Sequence, residues 1–285
     1  MAATPKPDPT ATNNRFNTLS PVPDLSLALI ALFLLMVPIR LFRATSLAHR
    51  SGVQFHMTLS SADLDISMFS KADLMNLCYQ RSSDPTVEMQ NRLAEVSDGP
   101  AFEQLRAEII DFVMNEISVN FDAISEVFEK VKPRSLADIG CGYAFIDLLI
   151  HRRYGNKIVL IDIEMTDEIY FRYREEGAGY NNLTTARAFL EANGVPATAI
   201  TVINPNNTEL AKAPKVDMAM SLLSCGFHYP VATYIDFVRS HVNKALLMDI
   251  RRRRNAEGRE AMDSWGSSRV IHRGIKHDCI VALRW

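Results

Sequence analysis

The sequence is poor in the residues that hold small secreted or zinc-binding proteins together. Its four cysteines, Cys78, Cys141, Cys225 and Cys279, are scattered, with no C-x-x-C pair and no His/Cys cluster at zinc spacing. This scatter argues against a disulfide framework, and we expect reduced thiols in a cytoplasmic protein. Clustered acids are also scarce outside the neighbourhood of Asp162, so we predict no metal site.

An excess of basic charge is lacking as well. The formal net charge is −2, from 31 lysines and arginines against 33 acids. Because proteins that bind nucleic acids neutralise phosphates with basic surfaces, we do not expect a nucleic-acid partner. The 285 residues and 47% hydrophobic composition fit a globular protein with one well-buried domain and an accessory segment, or two small domains. The oligomeric state stays unknown at this stage.

The N-terminal part has too few apolar residues to fold until an uncharged run begins at residue 25. Residues 1–24 are rich in Pro, Thr and Asn and predict a disordered tail. Residues 25–43 predict an apolar helix, whose 15 uncharged residues span about 22 Å, short of a bilayer core of roughly 30 Å. Three interpretations remain: a membrane anchor, a buried or interfacial helix, and a cleaved signal peptide. The arginines that follow the run would leave an anchored protein on the inner, cytoplasmic face of the membrane.

The remainder of the chain changes its hydrophobic period at Pro133. Residues 44–132 predict a helical N-terminal region, with the longest helix over 101–131. In 133–285, short apolar runs alternate with helical stretches, which predicts an α/β domain: a parallel sheet with helices on both faces. The last two apolar runs predict an antiparallel hairpin at the sheet edge. The predicted strands are 135–139, 157–163, 200–204, 216–222, 244–250, 269–272 and 279–283, and the predicted helices between them are 145–153, 182–193 and 231–241.

A loop with two glycines follows the first predicted strand. It begins at Asp138, places glycine at 140 and 142, and continues through Ala144 into an apolar helix. Such a loop at the carboxyl end of a first strand lets a nucleoside ligand approach the backbone closely. A nicotinamide-type G-x-G-x-x-G loop would need a small residue at position 145, where this chain has Phe145. The small residue comes one position earlier, and an acid stands two residues before the first glycine.

This acid-x-Gly-x-Gly-x-small pattern resembles the first motif of class I S-adenosylmethionine-dependent methyltransferases. The resemblance implies a Rossmann-like seven-stranded methyltransferase sheet and S-adenosyl-L-methionine as cofactor. The donor has no pyrophosphate, so it does not need a helix N-terminus that points at a phosphate. It needs a loop whose backbone can pass close to its amino-acid part. Asp162, at the end of the second predicted strand, is placed to accept hydrogen bonds from the ribose hydroxyls. The cofactor-binding residues expected on this basis are Asp138, Gly140, Cys141, Gly142, Asp162, Asn204, Asn206, Ser221 and Leu222.

The residues from Ser221 to Pro230 carry a second, finer resemblance. Together with 180–183 and 190–195, they are similar to a bacterial subgroup described as sugar O-methyltransferases. This resemblance covers roughly 133–250 and implies a sugar or glycan hydroxyl as acceptor. The adenine role of Asn204 or Asn206 stands beside an alternative, in which both belong to an Asn/Pro turn.

Candidate chemistry falls in the loops after the fourth and fifth predicted strands. His228 is the expected catalytic base, since imidazole titrates near neutrality, with a structural histidine as the alternative. Tyr229 would orient the acceptor or simply pack. Phe227 and Arg251 are the expected substrate-binding residues, and Arg251 would bind an anionic group of a small-molecule or glycan acceptor. The alternative for the four arginines 251–254 is a solvated surface. Two other functions stay open: methylation of a small metabolite, RNA or protein, and a non-catalytic binding module.

Overall fold

The computed structural model describes residues 59–81, 83–164 and 179–284, with backbone alone at positions 254 and 255. The predicted tail 1–24, the apolar run 25–43 and residues 44–58 therefore lie outside the described residues. Within the described ranges, no helix combines the length and the apolar character needed to cross a membrane. All four cysteines are buried free thiols.

In the described residues before the sheet, the chain forms the α-helices α1 (Lys71–Arg81), α2 (Asp84–Glu95) and α3 (Pro100–Val131). Helix α3 begins at a proline, which fits the first turn because its missing N–H would have no helical partner there. It ends at Val131, and the C-cap residue Lys132 has a left-handed φ of 47°, which stops the helix immediately before Pro133. The predicted long helix over 101–131 is thus present with one extra residue at its start.

The sheet has seven strands in the order β3-β2-β1-β4-β5-β7-β6. The first five are parallel, whereas β7 runs antiparallel to both β5 and β6. This is the predicted Rossmann-like seven-stranded methyltransferase sheet, and its strand order reverses at β1, between β2 and β4. The bounds are β1 (Ser135–Ile139), β2 (Lys157–Ile161), β3 (Ile200–Ile203), β4 (Val216–Ser221), β5 (Val242–Arg251), β6 (Ser267–Arg273) and β7 (His277–Leu283).

Helices cover both faces of the sheet. Helices α4 (Phe145–Tyr154) and α5 (Leu183–Ala192) pack in one hydrophobic cluster with α1 and α3, whereas α6 (Ile235–His241) and α7 (Asn255–Trp265) pack in a second. Strand β1 serves both layers, because Leu136 faces the first cluster and its neighbour Ala137 the second. The layers therefore follow the period-2 alternation of a buried strand.

The predicted antiparallel hairpin forms at the edge of the sheet, where β7 pairs with β5 and β6 takes the outermost position. Burial follows this order: five consecutive residues of β7 from Asp278 to Ala282 are buried, whereas no residue of β6 is. Helix α7 was not predicted; it follows the arginines 251–254 and packs in the second layer through Met262 and Trp265.

Candidate functional site

The glycine loop folds tightly over the carboxyl end of β1. Gly140 has φ 77° and Gly142 φ 56°, in the left-handed region that glycine tolerates best. The Gly140 N–H donates to the carbonyl oxygen of Ile161 at 2.7 Å, which ties the loop to the end of β2. A Cβ at Gly140 would overlap the side chain of Ser224 from the loop after β4. The first glycine is therefore required both by backbone conformation and by a close approach.

The start of α4 explains why position 145 is large. Ala144 is the helix N-cap with φ 60°, so the small residue sits where the backbone is left-handed. The ring of Phe145 stacks on Phe69, with centroids 5.5 Å apart, and contacts Phe189 at 4.7 Å. It points into the core formed with the N-terminal helices and leaves the glycine loop free of its bulk.

Asp162 lies where the sequence places it, directly after β2, and its carboxylate holds the glycine loop. The Gly142 N–H donates to Asp162 Oδ2 at 2.9 Å, and the Ile163 N–H donates to Oδ1 at 2.8 Å. Burial raises the pKa of Asp162, whereas these amides and the Asn181 side chain favour its ionised form. A carboxylate has about four lone-pair positions, so it retains acceptor capacity for a ribose hydroxyl.

A second buried acid, which the sequence analysis missed, acts on Asp138. Asp138 is buried, and so is Asp147, which lies on the first turn of α4, has no exposed surface and adds its charge to the environment of Asp138. Burial is the largest cause that raises the pKa of both groups, and that of Asp147 rises to about 7. The signal for Asp147 was present as one acid within the apolar run 145–150.

Asn204 and Asn206 line a polar cavity of about 410 Å³ beside the end of β2. The Asn204 amide donates to Glu164 Oε2 at 2.7 Å, and its Oδ1 accepts the Asn206 N–H at 3.0 Å. Both asparagines thus take part in a turn, which was the alternative interpretation, and they also border a space open to a ligand. The cavity is lined by Ile163, Glu164, Asn181, Asn182, Asn204, Asn206 and Asn207.

The loop after β4 packs directly on the glycine loop. The Ser221 hydroxyl is buried and donates to the carbonyl oxygen of Ile139 at 2.6 Å, while it accepts the Cys225 N–H at 2.9 Å. Leu222 is half-buried beside it. The Tyr229 hydroxyl lies 3.2 Å from Ser224 Oγ and faces Gly140. Burial raises the pKa of Tyr229 well above its usual value, so this phenol is a hydrogen-bond donor and not a base.

Phe227 brings His228 and Arg251 together. The Arg251 guanidinium lies 4.4 Å from the centroid of the Phe227 ring, and the His228 ring meets the same ring edge-on at 4.9 Å. Burial, and then the positive charge of Arg251, lower the pKa of His228 to about 4. Arg251 Nε has no hydrogen-bond partner in the described part of the chain. His228 is therefore neutral near pH 7, next to a cation with unused donor capacity.

A second imidazole, which the sequence analysis missed, approaches Phe227 from β7. The centroid of the His277 ring lies 5.9 Å from that of Phe227, and Nε2 of His277 lies 3.6 Å from Oδ1 of the buried Asp249 on β5. Asp249 Oδ2 also accepts the Leu223 N–H from the loop after β4 at 3.1 Å. The antiparallel register pairs Arg251 with His277. This pair therefore lies at the carboxyl ends of the parallel strands, as the glycine loop does.

The N-terminal helix α1 closes the outer side of the glycine loop. The Tyr143 hydroxyl donates to Asp73 Oδ1 at 2.9 Å and accepts the Asn76 amide at 3.2 Å. A Cβ at Gly142 would lie 3.3 Å from Gln80 Nε2, and the same amide donates to the carbonyl oxygen of Tyr180. The site is thus built from the helical region and the sheet together.

The predicted site residues form two groups at the carboxyl ends of the parallel strands. Asp138, Gly140, Gly142 and Asp162 surround the glycine loop, and Ser221 joins that loop to the end of β4. Phe227, His228 and Arg251 form the second group beside it. Among the described residues, no group of three or more His, Cys, Asp or Glu side chains is arranged to hold a metal ion.

No family model matches the chain, and no curated protein matches its sequence. Solved structures are similar to it at low identity. The methyltransferase domain of bacterial CtHen1 shares 11% identity over 58% of this chain and 97% of that domain, with a TM-score of 0.44. A ribosomal protein L11 methylase from Lactobacillus delbrueckii subsp. bulgaricus shares 18% identity over 57% and 78% of the two chains, with a TM-score of 0.40. The StiE O-MT segment shares 10% identity over 69% and 80%, with a TM-score of 0.43.

The class of the fold follows from the chain's own strand order and from the loop at its reversal point. A parallel sheet that ends in an antiparallel β5-β7-β6 arrangement, with a two-glycine loop after β1 and an acid after β2, defines a Rossmann-like methyltransferase fold. Ligands of such open sheets bind at the carboxyl ends of the strands, next to the point where the strand order reverses.

Proposed function

We propose that this protein is an S-adenosylmethionine-dependent methyltransferase that methylates a hydroxyl of a sugar or glycan. The observation that carries the proposal is the hydrogen bond from the Gly142 N–H to Asp162, beside two glycines in left-handed conformations. This hydrogen bond joins the carboxylate of Asp162 to the backbone of the glycine loop. Asp162 would accept the ribose hydroxyls, and the cavity bordered by Asn204 and Asn206 would receive the adenine.

The acceptor side of the proposal rests on the second group of residues. Phe227 offers an apolar face, and Arg251 offers guanidinium donors that no described carboxylate occupies. This pairing suits a sugar that carries a phosphate or carboxylate, because arginine binds such groups with two parallel hydrogen bonds. Positioning of the hydroxyl in line with the donor's methyl group would supply much of the rate.

Removal of the hydroxyl proton has two candidate bases on either side of Phe227. In the proposed reaction, the acceptor oxygen attacks the methyl carbon, the carbon–sulfur bond breaks toward sulfur, and a base takes the hydroxyl proton. His228 is neutral, but the nearby charge of Arg251 opposes its protonation. His277 lies beside the Asp249 carboxylate, which would stabilise the imidazolium that forms. We therefore add His277 to His228 as a candidate.

The two candidates predict different kinetics. If His277 is the base, His277→Gln lowers kcat by about 10²–10⁴-fold, the usual contribution of general base catalysis, and His228→Gln has a smaller effect. If His228 is the base, the acidic limb of kcat lies near pH 4, and Arg251→Ala moves it to higher pH because the removed cation no longer lowers the pKa. Profiles of kcat against pH for the three variants distinguish these outcomes.

Arg251→Ala is also expected to raise the KM for an anionic acceptor by about tenfold to 100-fold, with the donor KM unchanged. The reason is the loss of about 1.5–3 kcal/mol for a hydrogen bond to a charged group. Arg253→Ala is the matched control, since Arg253 is exposed and has no described contact with Phe227. Equal KM values for wild type and Arg251→Ala would remove Arg251 from the acceptor site.

The proposed reaction is tested by transfer of label from S-adenosyl-[methyl-³H]methionine to a panel of hydroxyl acceptors. The panel contains neutral hexoses, hexose phosphates, nucleotide sugars and uronic acids. We expect label in an alkali-stable ether on one of the anionic sugars. Label transferred to RNA, protein or an amine, with none in any sugar, would favour the other methyltransferase functions over O-methylation.

A further inference from the structure

A second cavity, which we call the distal cavity, lies at the opposite end of the sheet from the glycine loop. Its volume is about 460 Å³, and it is bordered by the C-terminal end of α3 and by strands β5, β6 and β7. On β5 it reaches Lys244, near the start of the strand that ends at Arg251. The rise of a strand, about 3.3 Å per residue, separates these two residues by about 23 Å. The distal cavity is therefore separate from the site described above.

The lining of the distal cavity is strongly basic. Four of the side chains that border it are cations, and none is an acid: Lys130 ends α3, Lys244 lies on β5, Arg269 lies on β6, and Arg284 follows β7. The chain as a whole carries a formal net charge of −2, so this concentration of positive charge is local. A concave surface lined by one sign of charge attracts ligands of the opposite sign. The distal cavity is therefore complementary to an anion.

The two lysines already have acidic neighbours outside the lining. Lys244 Nζ lies 3.0 Å from Asp217 Oδ2 on β4, and Lys130 pairs with Glu126 one turn earlier on α3. Both lysine side chains are about half exposed, and ion pairs of this kind contribute at most about 1 kcal/mol. These pairs can open at little cost, so the lysines can turn toward a bound anion.

The two arginines have no such compensation. In the described part of the chain, the Arg269 side chain has no ion-pair or hydrogen-bond partner. Arg284 donates from Nε to the carbonyl oxygen of Trp265 at 2.9 Å, and its guanidinium carbon lies 4.5 Å from a ring centroid of that indole. These contacts fix the position of Arg284 without neutralising its charge. Two guanidinium groups therefore border the cavity with donors suited to a phosphate or carboxylate.

The distal cavity also has an apolar wall. Val131 and Leu283 line it and are only half-buried, and Ser267 adds a hydroxyl at the start of β6. A bare ion would leave the apolar wall in contact with water, whereas an organic anion would cover it. The volume lies within the range of about 300–1,000 Å³ that is usual for small-molecule sites. A phosphate monoester carries about −1.5 to −2 charges near pH 7, which matches the two uncompensated arginines.

We propose that the distal cavity is a binding site for a small organic phosphate, that is, a phosphate monoester with an apolar body. Arg269 and Arg284 bind the phosphoryl oxygens, and the apolar body lies against Val131 and Leu283. This site shares no residue with the glycine loop or with the group around Phe227. The proposal therefore stands independently of the proposed methyl transfer.

The experiment is calorimetric titration of the full chain near pH 7.5 with three probes: phenyl phosphate, inorganic phosphate and phenol. Phenyl phosphate combines the anion with an apolar ring, and each of the other probes supplies one of these two parts. We expect phenyl phosphate to bind saturably and at least about tenfold more tightly than inorganic phosphate, because the ring buries apolar surface. Phenol should give no binding heat. Absence of phenyl phosphate binding at millimolar concentration, or equal affinity for inorganic phosphate, would overturn the proposal.

Arg269→Gln locates the bound phosphate. This residue is exposed and has no described partner, so its replacement should leave the fold intact and weaken phenyl phosphate about tenfold or more, as the loss of a hydrogen bond to a charged group does. Arg187→Gln is the matched control: it removes the same charge from α5, where Arg187 pairs with Glu191, and should leave the Kd unchanged. Arg251→Ala should also leave it unchanged. Loss of binding in Arg251→Ala with none in Arg269→Gln would place the phosphate in the proposed acceptor site and overturn the proposal.

Discussion

Gly140→Ala is expected to remove donor binding. The added Cβ would overlap Ser224, and the φ of 77° is unfavourable for alanine. The left-handed conformation alone costs about 1–2 kcal/mol, and overpacking typically adds about 1–3 kcal/mol. The loop can avoid this cost by moving, but then the backbone no longer passes close to the ligand. We expect the Kd for S-adenosylmethionine in calorimetry to rise by at least about 100-fold, or about 2.7 kcal/mol.

Gly155→Ala is the control for this substitution. Gly155 follows α4 with φ 69°, but no atom lies within 4 Å of where its Cβ would be. It should therefore lose a similar conformational energy and keep the donor Kd. The double variant Gly140→Ala, Ser224→Gly removes the overlapping atoms and should recover part of the stability. If Gly155→Ala weakened the donor as much as Gly140→Ala, the effect would not come from the loop.

Asp73→Ala is expected to cause the largest loss of stability. Asp73 is buried on α1 and accepts hydrogen bonds from Tyr143 and Thr185, and from both the N–H and the hydroxyl of Ser70. Its removal leaves the buried hydroxyls of Tyr143 and Thr185 without this acceptor. It also removes the hydrogen bonds to Ser70 that stabilise the first turn of α1. We expect the free energy of unfolding in chemical denaturation to fall by about 3 kcal/mol, from a lost cap and unsatisfied buried donors.

Tyr143→Phe removes one partner of this network and keeps the ring. It should cost about 1 kcal/mol, the usual value for one hydrogen bond. A double-mutant cycle between the two positions should give a coupling energy of at least about 0.5 kcal/mol, as for residues in contact. Additive effects would show that α1 does not support the glycine loop through this contact.

The parts of the site that follow directly after a strand could be predicted from the sequence. Gly140 and Asp162 were placed correctly because a buried apolar run, its end and the next residue are local properties of the chain. The aromatic environment of Phe145 was not predictable, since its partner Phe69 comes from the N-terminal region. The packing of Phe145 on Phe69 and Phe189 explains why position 145 is large, and this packing is visible only in the structure.

The pairing of Asp249 with His277 illustrates the opposite case. It depends on the antiparallel register between β5 and β7, which no local pattern specifies. Helix α7 was missed because Gly258 lowers helix propensity by about 1 kcal/mol relative to alanine. In the structure that glycine lets the helix pack on Ile250 of β5, where a Cβ would overlap the isoleucine side chain. Packing against Ile250 thus requires glycine at position 258, although glycine is unfavourable for helix formation.

The central claim is that this sheet and its glycine loop bind S-adenosylmethionine, and direct calorimetric titration of the full chain tests it. We predict saturable one-to-one binding with a Kd between about 1 µM and 1 mM, the usual range for enzyme substrates. The contradictory result is the absence of binding heat and of thermal stabilisation at millimolar S-adenosylmethionine.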